Sequence, residues 1–298
     1  LEILRQKAKE GVDVRVLYDG FGCLFTLPPN YAETLRAQGI QCFAVSPFRF
    51  SWHPSDYKLL NHRDHRKITV IDGEVGFTGG MNFADEYINR KKRFGVWKDT
   101  GFMLQGPAVF SLTVTFLKMW DYVAETRTQY LDYLPESAYP ASEGFVQPYC
   151  DSPLDSENVA ENAYFNVLRH AQHYVYLMTP YLILDNEMTT ELCLSAKSGV
   201  DVRIITPGIP DKPYVYYVTQ SYYPELLRAG VRIYEYTPGF VHAKMFVSDG
   251  KLAIVGSANT DYRSLYLHYE NCCQFFGGQI VNRVKEDFEA TMAMCHEV

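Results

Sequence analysis

Apolar positions along this chain fall into short β-branched runs separated by longer stretches of helical period. Leu1 to Lys9 is amphipathic and ends at Gly11, after which Val12-Asp-Val-Arg-Val-Leu17 reads as a strand. A glycine just past the last periodic residue is a helix C-cap, and the β-branched run after it fits a buried strand. This block occurs twice: Ala8-Lys-Glu-Gly-Val-Asp-Val-Arg-Val-Leu17 returns as Ala196-Lys-Ser-Gly-Val-Asp-Val-Arg-Ile-Ile205. Likewise Leu35-Arg36-Ala37 before Gly39-Ile40 returns as Leu227-Arg228-Ala229 before Gly230-Val231. Strands alternating with helices predict an α/β fold, present here in two copies.

Leu134-Pro-Glu-Ser-Ala-Tyr-Pro-Ala-Ser-Glu-Gly144 has the composition of a linker, which divides the chain into domains 1–134 and 145–298 joined by 135–144. Ahead of its repeated block the second domain has a helix around Val159 to His170 and a strand around Tyr174 to Thr179. The first domain has almost nothing in that place. The expectation is a first domain truncated at its N-terminus, with one strand fewer at its sheet edge.

Composition narrows the class. The 298 residues are 47% hydrophobic and 21% charged, as in soluble globular proteins, and no run nears the roughly 18 apolar residues of a membrane span. A net charge of −7 argues against a broad electrostatic grip on nucleic acid. Seven cysteines without a C-x-x-C pair read as reduced thiols, not as a zinc site or a disulfide framework.

The sharpest repeat is chemical. His65-Arg-Lys67-Ile-Thr-Val-Ile-Asp72-Gly73 is matched by His242-Ala-Lys244-Met-Phe-Val-Ser-Asp249-Gly250, both H-x-K-x4-D-G. Asparagines follow in Gly79-Gly-Met-Asn82 and Gly256-Ser257-Ala-Asn259. On extended backbone His65 and Lys67 share a face, as do His242 and Lys244. Asp-Gly ends each strand in a tight turn, after which the Gly-rich segment can bring the asparagine back beside the histidine. A lone H-x-K-x4-D arises easily by chance; two copies with equal spacing to an asparagine do not.

With this doubled motif the chain resembles the phospholipase D superfamily. Asn61-His-Arg-Asp-His-Arg-Lys67, Gly79-Gly-Met-Asn-Phe-Ala-Asp-Glu-Tyr87, Trp97-Lys-Asp-Thr100, Ser152-Pro-Leu-Asp155 and Gly256-Ser-Ala-Asn-Thr-Asp-Tyr-Arg-Ser264 are similar to the bacterial cardiolipin synthase branch. His268 departs from that pattern, where relatives usually carry Asn. The resemblance implies two phospholipase D-type domains, each a mixed β-sheet flanked by helices, packed about a pseudo-twofold axis. It implies formation of cardiolipin from phosphatidylglycerol through a covalent phosphatidyl-histidine, with release of glycerol. It further implies no cofactor, no nucleic-acid partner, and a cell-membrane location reached through N-terminal segments outside this chain, the fragment itself being soluble.

The resemblance favours His65 as nucleophile and His242 as acid/base, roles that suit an imidazole. Lys67, Lys244, Asn82, Asn259 and the Ser257 hydroxyl are then donors for phosphoryl oxygens, in place of a divalent metal. Each histidine needs a carboxylate on its second nitrogen. Glu270 matches the family's orienting glutamate, and Asp99 is the candidate for His65. Asp72 and Asp249 belong to the motif set, although their place at a strand-ending turn suits a structural role. His62-x-x-His65 does not suit a metal, because on a strand the two face opposite sides.

Other features leave alternatives open. Arg90-Lys-Lys-Arg93 fits anionic lipid headgroups or a solvated loop. Tyr214-Val-Tyr-Tyr217 and Tyr222-Tyr223 fit a membrane interface or packing over the site. Phe94, Trp97, Phe102 and Trp120 are expected in the core. A hydrolase giving phosphatidic acid shares every catalytic residue with the transferase. A nuclease fits the charge less well, and a catalytically dead binding module fits two complete motifs poorly.

Overall fold

The computed structural model describes residues 1–46, 61–140 and 142–298. In the first half, helix Glu2–Lys9 turns through Gly11, at φ +91°, into β1 (Arg15–Asp19), which pairs in parallel with β2 (Gln41–Val45). Then come β3 (Arg63–Asp64), β4 (Ile68–Ile71), β5 (Val75–Gly79), β6 (Val96–Lys98) and β7 (Gly101–Gln105). β4, β5 and β7 form an antiparallel three-stranded sheet, and helix Val109–Ala124 follows.

The second half contributes β8 (Phe145–Asp151), β9 (Tyr174–Met178), β10 (Asp201–Pro207), β11 (Arg232–Tyr236), β12 (Gly239–Val241), β13 (Met245–Ser248), β14 (Leu252–Gly256), β15 (His268–Phe276) and β16 (Cys295–Glu297). All of these except β12 join β3 in a nine-stranded sheet in the order β16-β11-β10-β9-β13-β14-β15-β3, with β8 also on β15. Helices Val159–His170, Asn186–Lys197 and Pro213–Ala229 supply the apolar layer on one face, and helix Gly278–Met292 packs on the other. Covered on both faces, β9 and β13 are nearly continuous apolar runs rather than alternating ones.

The repeat is visible in the strand order. β1–β2 corresponds to β10–β11, and β4-β5-β7 to β13-β14-β15. In the second half β9 runs between β10 and β13. Among the described residues the first half has no strand in that place, nor counterparts of β8 and β16, so its sheet is split into pieces of two and three strands. This corrects the expectation of a single strand lacking at an edge: the strand without a counterpart that divides the sheet is central. Where Tyr176 of β9 stacks on Phe288 beneath Arg203, the first half has a cavity of about 580 Å³ lined by Arg15, Gln41 and Trp120.

Two strand pairings cross between the halves, β3 with β15 and β6 with β12. One apolar cluster also spans them, joining Leu104, Val109 and Leu112 to Met178, Met245 and Val255. The linker packs on the β4–β5 hairpin, where the Glu74 carboxylate accepts the N–H groups of Glu136 and Ser137 and the Tyr139 hydroxyl. Trp97 and Trp120 are buried as expected, while Phe94 and Phe102 are half-buried.

Candidate active site

The two crossing pairings set the site. His65-Arg66-Lys67 bridges β3 to β4, and His242-Ala243-Lys244 bridges β12 to β13. The His65 N–H donates to the Tyr269 carbonyl at 3.0 Å, and the His242 N–H to the Lys98 carbonyl at 2.7 Å. Each motif is therefore held by a backbone bond to the other half.

The side chains cross in the same way. His65 Nδ1 lies 2.9 and 3.0 Å from the Glu270 carboxylate oxygens, and His242 Nδ1 lies 2.7 Å from Asp99 Oδ2. This corrects the expected partner of His65: Asp99 holds the histidine of the second half, and Glu270 that of the first. The reason is topological. The carboxylates sit at the start of β15 and just before β7, on segments whose neighbours are β3 and β12.

The carboxylates differ in length, and their surroundings compensate. Glu270 is fully buried and accepts the hydroxyls of Ser257 and Ser264. The position matching Ser257 is Gly80, where a Cβ would sit 2.2 Å from Asp99 Oδ1. The shorter carboxylate so fills the space a side chain at residue 80 would need, and it accepts the Thr100 N–H at 2.8 Å. Ser257 is wholly buried and donates to Glu270, so the structure makes it a support of that carboxylate rather than a substrate donor.

Burial outweighs the carboxylates in setting proton affinity. Desolvation, opposed by Glu270, leaves His65 at about 4. Desolvation, reinforced by Lys244 and opposed by Asp99, leaves His242 at about 3. Burial alone would raise both acids, but His65 holds Glu270 low and His242 holds Asp99 low. At neutral pH each imidazole is uncharged, and its Nδ1–H donates to a carboxylate. Lys67 falls to about 8 and Lys244 to about 7, chiefly because they are buried. Lys67 acts electrostatically on Glu270, Asp99 and His242 alike, so the two motifs share one electrostatic site.

The remaining expected residues divide. Asn259 is buried, and among the described residues its Oδ1 has no hydrogen-bond partner. Asn82 is exposed and donates to the Tyr87 hydroxyl at 2.5 Å. Asp72 and Asp249 stand in left-handed conformation, φ 55° and 53°, at hairpin turns on the far side of their strands from the histidines. Asp249 accepts the N–H groups of Gln172, His173 and Tyr174 at 2.7, 3.0 and 2.9 Å, pinning the start of β9. Asp72 is exposed. Geometry thus gives the motif aspartates a structural place.

Several contributors lie outside the two H-x-K-x4-D motifs. Trp97 and His268, each two residues before an orienting carboxylate, flank the histidines with ring centroids 5.5 Å from His242 and 5.4 Å from His65. The Tyr87 edge meets the His242 ring at 5.1 Å. Asn271 accepts the Lys67 N–H at 3.3 Å and donates to Thr78 at 2.6 Å, tying the halves together. His65, His268 and Glu270 bring their ligand atoms within 4.8 Å of one another, a grouping that spacing does not reveal. A cation there would displace the proton His65 donates to Glu270. Aligning Trp97-x-Asp99 with His268-x-Glu270 in the repeat is the signal that finds the flanking rings.

Residues 1–111 and 164–292 match the family described as cardiolipin synthase, PLD-like domain. An uncharacterized protein of Streptococcus mutans is 48% identical across 100% of this chain and 64% of its own length. A protein of Geobacillus kaustophilus called cardiolipin synthase is 41% identical across 96% of this chain and 56% of its own. The chain thus spans little more than half the length of such relatives. Among solved structures, phosphatidylserine synthase from Haemophilus influenzae superposes with a TM-score of 0.73 over 100% of this chain and 78% of that one, at 14% identity, which is a likeness of fold.

Proposed function

The chain belongs to the family of cardiolipin synthase, phospholipase D-like domains, and from that premise we propose that it carries the site of a phosphatidyltransferase that joins two phosphatidylglycerols into cardiolipin and releases glycerol. The observation that carries this reading is the crossed bracing of His65 by Glu270 and His242 by Asp99. Two imidazoles with Nδ1 held and Nε2 free suit a two-step displacement at one phosphorus.

In the first step His65 Nε2 attacks phosphorus and the bond to the glycerol oxygen breaks, that oxygen taking a proton from the second motif. The products are phosphatidyl-His65 and glycerol. In the second step the hydroxyl of another phosphatidylglycerol loses its proton to His242 and attacks phosphorus, and the bond to His65 breaks. The products are cardiolipin and free enzyme.

To act as the acid, His242 must hold a proton on Nε2 as well as on Nδ1; Asp99, 2.7 Å from Nδ1, favours that imidazolium, while burial and the Lys244 charge 2.9 Å away oppose it. Lys67 and Lys244 also face the charge that grows on the phosphoryl oxygens, in a site where low polarity strengthens each interaction.

The reading puts the reaction at a membrane surface, where such substrates lie. Among the described residues no helix is long and apolar enough to cross a membrane. The test is a product assay on the full-length polypeptide, with phosphatidylglycerol in mixed micelles and chelator present. Cardiolipin plus glycerol supports the transferase. Phosphatidic acid without cardiolipin moves the protein to the hydrolases, and no turnover removes the functional reading.

A further inference from the structure

A lipid phosphodiester must reach His242, which is buried, and His65, which is half-buried, and the loop between β5 and β6 is built to meet its source. The loop is ordered by its own bonds. Asn89, at φ 57°, clamps Trp97 with both ends of its amide, at 3.0 and 2.8 Å, and the Asp85 carbonyl accepts the Arg90 N–H at 3.0 Å. It is fixed to the reaction centre as well, because Tyr87 packs on both Trp97 and His242, with centroids 4.5 and 5.1 Å away.

This anchored loop holds apolar side chains out in water. Phe83 is 95% exposed, Ile88 56% and Met81 45%. Beside them Arg90, Lys91 and Lys92 are exposed and have no side-chain partner among the described residues, while Arg93 lies 4.0 Å from Glu86. Residues 81–95 carry four cations against Asp85 and Glu86, a local excess of positive charge in a chain of net charge −7. Bare aromatic and aliphatic groups next to unpaired cations match the boundary between acyl chains and anionic headgroups.

We propose that Met81 to Arg93 is the surface by which this protein docks on an anionic lipid bilayer, Phe83 and Ile88 entering the acyl boundary while Arg90, Lys91 and Lys92 meet the headgroups. The occupant is a lipid surface because the charge complements anionic headgroups and because the docked loop sets His242 directly behind the interface. The inference rests on the lipid reading of the site, which it deepens by naming where the substrate enters.

Two variants test it: Phe83→Ser with Ile88→Ser, and Arg90→Ser with Lys91→Ser and Lys92→Ser. Binding is read by sedimentation with vesicles of phosphatidylglycerol and phosphatidylcholine mixed, and of phosphatidylcholine alone. Turnover is read on those vesicles and on monomeric dihexanoyl-phosphatidylglycerol. The wild type is expected to prefer the anionic vesicles. The charge variant is expected to lose about fivefold in binding per cation, roughly a hundredfold in all at low salt. The apolar variant is expected to lose about tenfold or more at any salt. Both are expected to keep turnover of the monomeric substrate. Wild-type binding by either variant overturns the proposal, and so does loss of self-association instead of lipid binding. If the wild type binds vesicles through this loop but turns over neither substrate, the transferase reading falls and the docking surface stands.

Discussion

Glu270 belongs to the second half of the chain and His65 to the first, yet a carboxylate oxygen of one lies 2.9 Å from Nδ1 of the other, across 205 residues of sequence. Asp99 and His242 repeat the relationship in the opposite direction at 2.7 Å. Neither motif histidine takes its bracing carboxylate from its own half. The proposed catalytic unit is the interface, and the crossed strand pairings that form it also hold the imidazoles.

Removing a brace should therefore disable the histidine of the other half. Glu270→Gln and Asp99→Asn keep the shape but lose the charge that fixes the tautomer, and each is expected to lower kcat by about 10³ to 10⁴-fold. Steady-state kinetics with an intact melting transition checks this. If either variant keeps activity within about tenfold, the crossed pairs are not catalytic.

The alkaline limb of activity should belong to lysines. Lys244 at about 7 and Lys67 at about 8 must stay charged to face the phosphoryl group, so kcat/KM should fall as pH rises through 7 to 8. On the acid side it should fall only toward about pH 4, where His65 takes up a proton and loses its nucleophilic lone pair. An alkaline limb unchanged in Lys244→Arg, whose charge persists at those pH values, would contradict the assignment.

Asp249→Ala separates a structural aspartate from a catalytic one. Three backbone N–H groups at the start of β9 lose a charged acceptor, which is expected to cost about 2 kcal/mol of stability in chemical denaturation. The folded variant should keep kcat within about tenfold of wild type. A loss as large as that of His242→Ala would return Asp249 to the catalytic set.

A buried acid elsewhere should shape stability. Burial, with Asp185 sharing its proton, raises Glu161 to about 7 from 4.5. A group raised in the folded state contributes stability that is complete below the unfolded value and is lost as pH rises through the folded one. Melting temperature should thus fall between pH 4.5 and 7, and Glu161→Gln should flatten that slope. An unchanged slope would mean that Glu161 ionises normally.

Much of this was readable from residues alone, where the signal was local or repeated. The α/β repeat, the H-x-K pairs and the Asp-Gly hairpins all follow from short-range pattern and turn chemistry. The partner of His65 did not, because a strand crossing between halves, β3 onto β15, decides it, and sequence separation carries no trace of that crossing. Ser257 misled for a related reason: a hydroxyl beside a motif can face the ligand or the carboxylate behind it, and only packing around Glu270 settles which. The split first-half sheet was foreshadowed by the unequal repeat, but its position was not, since strand order differs from chain order.

The central claim is a covalent intermediate on one histidine of a crossed pair, and trapping tests it most directly. His242→Asn, mixed with a phosphodiester whose p-nitrophenol leaving group needs no acid, should release one equivalent of nitrophenol and stall. Peptide mass spectrometry should then find the phosphoryl adduct on His65. An adduct on any other residue, or continued turnover with no adduct, would contradict the account.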